Sequence, residues 1–423
     1  MYISITCPEC GKEIEVDEAQ AKNLQKCPFC NGELSLGEAD EESISVDGAE
    51  ALESKFWREG DLLVRYTEEG KEVIVPKGVR VTNKLFEGMD VRTVRISDGC
   101  EVIESYAFYG CKNLQYVEIG NGIDWIPKNT FCNCENLERI VLPNSSLVLD
   151  EDAFNRCPKL TEVFLPSSLE SIIVNSFVGC DSLRYNEYQG GRYLGNEEEP
   201  YLALMSVDKT VTEFSLHPDT RVIAEPDTRI WTDDAFLGAP NVQKVSLVGK
   251  VKVVPMALLN SSTIEEVVIG DGVEEIAFNA ICTCKNLRKV VLPDSIREIA
   301  HGNFEKCELL ERKEENAIYI EVNENLRYIL IDTMPNVRKF SIPEETVFVL
   351  KWGSSLSEVV VPESVKFIND DSWRENKKLT KMFFKAIDGW KLGGDPIDPK
   401  IMKDPVKIVK LLKKTRFGNL IRE

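Results

Sequence analysis

Histidine is almost missing from this chain: 423 residues contain two, His217 and His301. Neither stands in a metal-site or triad pattern, and no P-loop, G-x-S-x-G or H-E-x-x-H motif occurs. The glycines at 190, 191 and 195 lack the strand, turn and helix context of a nucleotide site. The expectation is therefore a protein that is not an enzyme. Long apolar runs are absent too; none reaches the roughly 18 residues that a membrane helix needs. The first residues, Met1 to Cys7, show neither a basic segment nor an apolar stretch before a cleavage site, so the reading is of a cytoplasmic protein. Positive charge is in deficit, with 51 Lys and Arg against 71 Asp and Glu, a net charge of −20. That balance argues against nucleic acid or an anionic membrane as a general partner, since both reward positive charge.

What the chain has is repetition. Over residues 91–182 one 23-residue unit is written four times without a gap, opening at Val91, Leu114, Leu137 and Leu160. Each copy runs leucine or valine, two residues, then Val-x-Ile or its equivalent, and later a phenylalanine followed three residues on by a cysteine. Phe108, Phe131, Phe154 and Phe177 recur at that period, and so do Cys111, Cys134, Cys157 and Cys180. A period of this size marks a solenoid, in which no unit buries its apolar face without its neighbours. The expected fold is an α/β repeat, a solenoid with a parallel concave sheet of about twelve coils, with a zinc ribbon before it and a capping helix after it.

Twelve inward strand pairs can be followed, from Val73/Val75 to Met382/Phe384. Stacked in parallel at about 4.8 Å, they would make a sheet on the order of 50 Å long. A large apolar column accompanies them: Leu85, Phe108, Phe131, Phe154, Phe177, Phe236, Leu258, Ile281, Phe304, Leu350 and Trp373. The cysteine position is filled elsewhere by Gly88, Ala239, Ser261, Gly353 and Asn376, so it selects small size and a local backbone contact rather than metal or disulfide chemistry. The register breaks at three hairpin-like inserts, near 56–66, 184–206 and 311–335.

Residues 1–36 read as a separate unit. Cys7, Cys10, Cys27 and Cys30 form two C-x-x-C knuckles, which supply four thiolates for one structural zinc ion in a closed tetrahedron. Ile3/Ile5, Ile14/Val16 and Leu34/Leu36 alternate as short flanking strands. A chain this short lacks a sufficient apolar core, so the metal would drive its folding. Three Lys against six carboxylates make it a poor nucleic-acid binder. Residues 37–54 hold seven acids and no base and read as a solvated linker. The solenoid then spans residues 55–384 and a cap residues 385–423. Within that cap, Asp404 and Pro405 form an N-cap and first turn, and the helix shows Ile408, Leu411 and Leu412 on one face.

Leu114-Gln115-Tyr116-Val117-Glu118-Ile119, leading to Thr130-Phe131-Cys132-Asn133-Cys134, resembles the BspA-type leucine-rich repeat. So do residues 105–114 and Val291-Leu292-Pro293-Asp294-Ser295-Ile296. The resemblance covers residues 56–423 and implies a right-handed solenoid with its parallel sheet on the concave side. Its members are mostly exported surface proteins that adhere to host or neighbouring cells, which supplies an adhesin-like alternative, reached here by a non-classical route. Specificity is then expected on outward strand positions. Val141, Phe164, Val268, Val291 and Val360 occupy the fifth place of their units, and Tyr116 a third place beside Arg139, Glu162, Glu266, Lys289 and Glu358. Cross-strand charge pairing that merely stabilises the sheet, and a face that docks an unidentified partner protein, are both open from the sequence. So is the oligomeric state.

Overall fold

A computed structural model describes residues 2–6, 13–17 and 56–422, apart from 60, 67–70, 88, 146, 226–235, 237, 262, 315, 323–326, 375 and 416–417. The chain divides into two compact units, Met1–Ser54 and Lys55–Glu423. In the first, Tyr2–Thr6 and Glu13–Asp17 pair antiparallel, with Ile3 opposite Val16 and Ile5 opposite Ile14. The expected knuckle cysteines, the third short strand and the acidic linker lie outside the described residues.

The second unit is a parallel-sheet solenoid. Each regular coil contributes one ladder strand, whose alternate residues point into the core. Thr93–Ile96 and Tyr116–Ile119, for example, bury Val94, Ile96, Val117 and Ile119. The side-chain period of two along a strand makes this inevitable once one face meets a core. A short second strand follows in the coil, such as Val102–Ile103 or Trp125–Ile126.

Between second strand and next ladder strand the chain mostly turns; the helices there among the described residues are single turns, the 3-10 turn Val174–Phe177 and the α-turn Asp371–Arg374. Tyr106, Asn129 and Asp152 adopt left-handed backbone, as do Gly110, Asn133 and Arg156 four residues further along their coils; in the fourth coil Gly179 does so without such a partner. These left-handed residues interrupt runs of right-handed turns, so the expected leucine-rich-repeat solenoid with its parallel sheet is present with few helices.

The twelve expected inward pairs fall on ladder strands, in five cases with the second member one residue past the strand's end, yet these strands do not make one sheet. They sort into ladders of five, four and three strands. The reason lies in the inserts. Beyond Glu162–Phe164, the last strand of the first ladder, Leu165 N–H donates to Gly195 O of the insert (3.3 Å). The edge is therefore occupied before another ladder strand can arrive.

The three inserts are one device used three times. Each is an antiparallel unit, two-stranded in the first and three-stranded in the other two, whose final strand pairs in parallel with the next short second strand: Leu62–Tyr66 with Arg80–Val81, Ala203–Val207 with Val222–Ile223, Arg327–Thr333 with Thr346–Val349. In every case the next ladder strand opens six residues after the hairpin closes, at Glu72 after Tyr66, Glu213 after Val207 and Lys339 after Thr333. The unit is thus three blocks, each a hairpin followed by coils, and its buried residues form three clusters.

Within the first block the aromatic column is a continuous stack. Phe86, Phe108, Phe131, Phe154 and Phe177 lie with centroids 5.0, 5.1, 5.3 and 5.1 Å apart and planes within 9° of parallel. Phe86, not Leu85, heads it. Leu85 is buried as well, but its coil is one residue shorter than the repeat, which shifts the column by one place. The same shift replaces Leu258 by Leu259, whose carbonyl takes the equivalent hydrogen bond from Cys284 (2.6 Å).

The contact made by the cysteine position is also different from the expected local one. Cys111 Sγ donates to Phe86 O (3.1 Å), Cys134 to Phe108 O (3.2 Å), Cys157 to Phe131 O (3.2 Å) and Cys180 to Phe154 O (3.1 Å). Each thiol therefore ties one coil to the coil before it. The nine described cysteines are free and buried.

The solenoid ends in a cap. Helix Pro405–Lys414 starts as expected, with Asp404 accepting from the N–H groups of Val406 and Lys407. It buries Ile408, Val409 and Leu412, and half-buried Leu411 packs against the same core, so the expected face is present with Val409 added to it. The helix packs on the last ladder strand, Lys381–Phe384. Leu420–Arg422 then pairs antiparallel with Phe367–Ile368, the last short second strand, and closes that edge as well. Open edges invite pairing with other chains, and both rows of strands are covered at this end.

Candidate interaction face

The strand period that buries the second and fourth residues of each ladder strand leaves the first and third pointing outward. Parallel pairing in register lines these up as two rows. The first row reads Glu72, Thr93, Tyr116, Arg139, Glu162, then Glu213, Lys244, Glu266, Lys289, then Lys339, Glu358, Lys381. Its charges alternate from strand to strand and pair. Arg139 lies 3.8 Å from Glu162, Lys244 2.7 Å from Glu213, Lys289 2.7 Å from Glu266, and Glu358 holds Lys339 and Lys381 at 2.9 and 3.4 Å.

These pairs shift their members in the direction that favours charge. The hydrogen bond from Lys244 to Glu213 raises the lysine above its ordinary value, and the bond from Lys339 holds Glu358 below the usual carboxylate value. They are exposed to solvent, so their weight lies in pinning the register rather than in stability.

The second row reads Ile74, Arg95, Glu118, Val141, Phe164, then Ser215, Ser246, Val268, Val291, then Ser341, Val360, Phe383. It brings the expected residues together in pairs rather than as one stripe. Val141 neighbours Phe164, Val268 neighbours Val291, and Val360 neighbours Phe383. Each pair sits on the last two strands of its ladder. Phe164 also carries the guanidinium of Arg139 over its ring at 5.0 Å.

Phe383 is 40% exposed and occupies the fifth place of the unit that opens at Leu379, yet it was not among the expected residues. The alternation Met382/Phe384 inward already requires Phe383 outward. Tyr116 stands in the other row, where its hydroxyl donates to Glu118 Oε2 (3.2 Å), a carboxylate that Arg95 also approaches at 3.7 Å. It does not join the apolar pairs.

The two histidines sit apart from this face and from each other. His217 stacks on Tyr201 with centroids 4.0 Å apart, and His301 meets Phe278 edge-on at 4.5 Å. Among the described residues no group of three or more His, Cys, Asp and Glu is placed to hold a metal ion, and no helix is long and apolar enough to cross a membrane. Cys7, Cys10, Cys27 and Cys30 are outside the described residues; the pair Thr6 and Glu13 closes the hairpin on either side of Cys7 and Cys10.

Compared with known proteins, the chain matches the BspA type leucine rich repeat region in six copies, over residues 71–192 and 220–326. No curated protein matches it. Among solved structures it is similar to a leucine-rich repeat protein from Bacteroides ovatus, with 17% identity over 78% of this chain and 97% of that one and a TM-score of 0.27. It is also similar to a leucine rich repeat protein of T. pallidum, with 20% identity, 59% and 81% coverage and a TM-score of 0.25. The pneumococcal vaccine antigen PcpA is similar at 14% identity, 78% and 90% coverage and a TM-score of 0.25.

Proposed function

The chain belongs to the family of BspA-type leucine-rich repeat proteins, and from that premise we propose that it is a non-enzymatic scaffold for protein–protein interaction. The observation that carries this reading is the second outward row. Three apolar pairs, Val141/Phe164, Val268/Val291 and Val360/Phe383, stand on a rigid sheet beside an alternating row of charges. Half-exposed apolar groups rimmed by charge are what a protein partner buries, with the charges setting orientation.

Two measurements test it. Affinity capture with the full chain is compared with the variants Phe164→Glu and Phe383→Glu, each checked for an unchanged melting curve. The partner retained by the parent chain should fall about tenfold or more with at least one variant, as expected for loss of a central aromatic contact. Equal recovery with both would remove the face from consideration.

The N-terminal unit is proposed to be a tethered zinc ribbon, with Cys7, Cys10, Cys27 and Cys30 holding one structural Zn²⁺. Its support is the ligand spacing and the hairpin that brackets the first two cysteines. The protein should carry about one zinc per chain by elemental analysis, and Cys27→Ser should lose it. Metal content unchanged by that substitution would sink the assignment.

A further inference from the structure

The second insert and the coil after it form a cleft of about 640 Å³, within the size range of ligand pockets. It is lined by Glu198, Glu199, Tyr201, His217, Arg221 and Lys250, among others. None of these belongs to the outward rows described above. We propose that this cleft binds a neutral polyhydroxylated ligand, a saccharide unit.

The walls are built rather than loose. Asn196 Oδ1 accepts from the N–H groups of Glu198 and Glu199 (3.0 and 2.8 Å), and its Nδ2 donates to Leu165 O (2.9 Å), anchoring the acidic loop to the first ladder. On the opposite side Thr220 Oγ1 donates to Tyr201 O (2.9 Å), and His217 N–H donates to the buried Tyr193 hydroxyl (3.2 Å). The Tyr201–His217 stack, at 4.0 Å and 13°, forms a flat aromatic wall, and Tyr188 braces it edge-on at 4.7 Å.

The polar groups are arranged as fixed donor and acceptor partners. Arg221 lies 2.6 Å from Glu199 Oε1, and Lys250 lies 2.7 Å from Asp219. Glu199 lines the cleft with its carboxylate held in place by Arg221, so a charged acceptor and a charged donor stand side by side in one wall. His217 Nδ1 accepts from Asp219 N–H (3.1 Å), so in the neutral ring the proton sits on Nε2 and can be donated.

A hydroxyl both donates and accepts, and adjacent hydroxyls on a sugar ring can meet an acceptor and a donor held side by side. The ring's C–H face suits an aromatic wall. The competing chemistries fit less well. Three carboxylates against two cations disfavour an anion, the two cations are already paired with those carboxylates, and an apolar ligand would desolvate this charged lining and offer it no hydrogen bond in return.

The test uses the full chain and a panel of neutral disaccharides (lactose, maltose, cellobiose), with glucose 6-phosphate and choline as charged controls. Binding is read by saturation-transfer NMR and calorimetry. At least one neutral disaccharide should bind, and Glu199→Gln and Lys250→Met, each confirmed folded by its melting curve, should weaken it about tenfold or more. The proposal is overturned if no neutral sugar binds, if only a charged control binds, or if affinity survives both substitutions.

Discussion

Thiols that reach the backbone of the preceding coil, and rings that stack on the coils either side, together set the spacing of the first block. Neither contact is strong singly; an offset stack adds about 0.5–1.5 kcal/mol beyond burial, and a thiol is a weak donor. Repetition makes them matter, because every coil carries both. Burial also shapes the acid–base behaviour of these groups. It pushes Cys100 up to about 11 and Cys111 up to about 12, from 9.0. Tyr185 and Tyr193 are likewise pushed to about 12 from 10.0. A folded state that holds its protons more tightly than the unfolded chain loses stability as pH rises. Denaturant unfolding under reducing conditions should therefore give a free energy that is flat below pH 9.0, the ordinary thiol value, and falls above it towards 11. Cys111→Ala should flatten that fall, while an unchanged profile would show that the buried thiols do not govern it.

At the scale of elements, the end of the chain separates what is local from what is not. Asp404-Pro405 starts the terminal helix because the carboxylate accepts from two otherwise unpartnered N–H groups and proline fits the first turn. Those same N–H groups hold the Asp404 carboxyl below its ordinary 3.8. The cap is thus complete above that pH and is lost as pH falls through the lowered value. Asp404→Ala should speed hydrogen exchange at Val406 and Lys407 at neutral pH and abolish the acid dependence of exchange in this helix. Exchange unaffected by the substitution would mean that packing alone holds the helix start. All of this was readable from two adjacent residues. The return strand Leu420–Arg422 was not, because nothing in its own residues names Phe367–Ile368 as the edge it closes. The expected helix face, Ile408, Leu411 and Leu412, does pack on the core, and contact with the strand beneath adds Val409 to it.

Over the whole molecule, a 23-residue period and alternating apolar residues were enough to specify coils, inward residues and a parallel stack. They determine these because burial of alternate residues is a property of each strand and needs only a like neighbour. The outward rows followed from the same alternation, including the charge pairs Arg139/Glu162 and Glu266/Lys289. Tertiary structure alone decided where the stack is interrupted. Each insert was legible as a hairpin, but its final strand joins the second row, which divides twelve ladder strands into five, four and three. That division sets the three apolar pairs on separate ladders, and it gathers Glu199 and Tyr201 from an insert with His217 and Lys250 from the next coils into one cleft. Edge pairing and cleft formation depend on which surfaces meet across long separations in sequence, and no residue carries that information by its own chemistry or spacing.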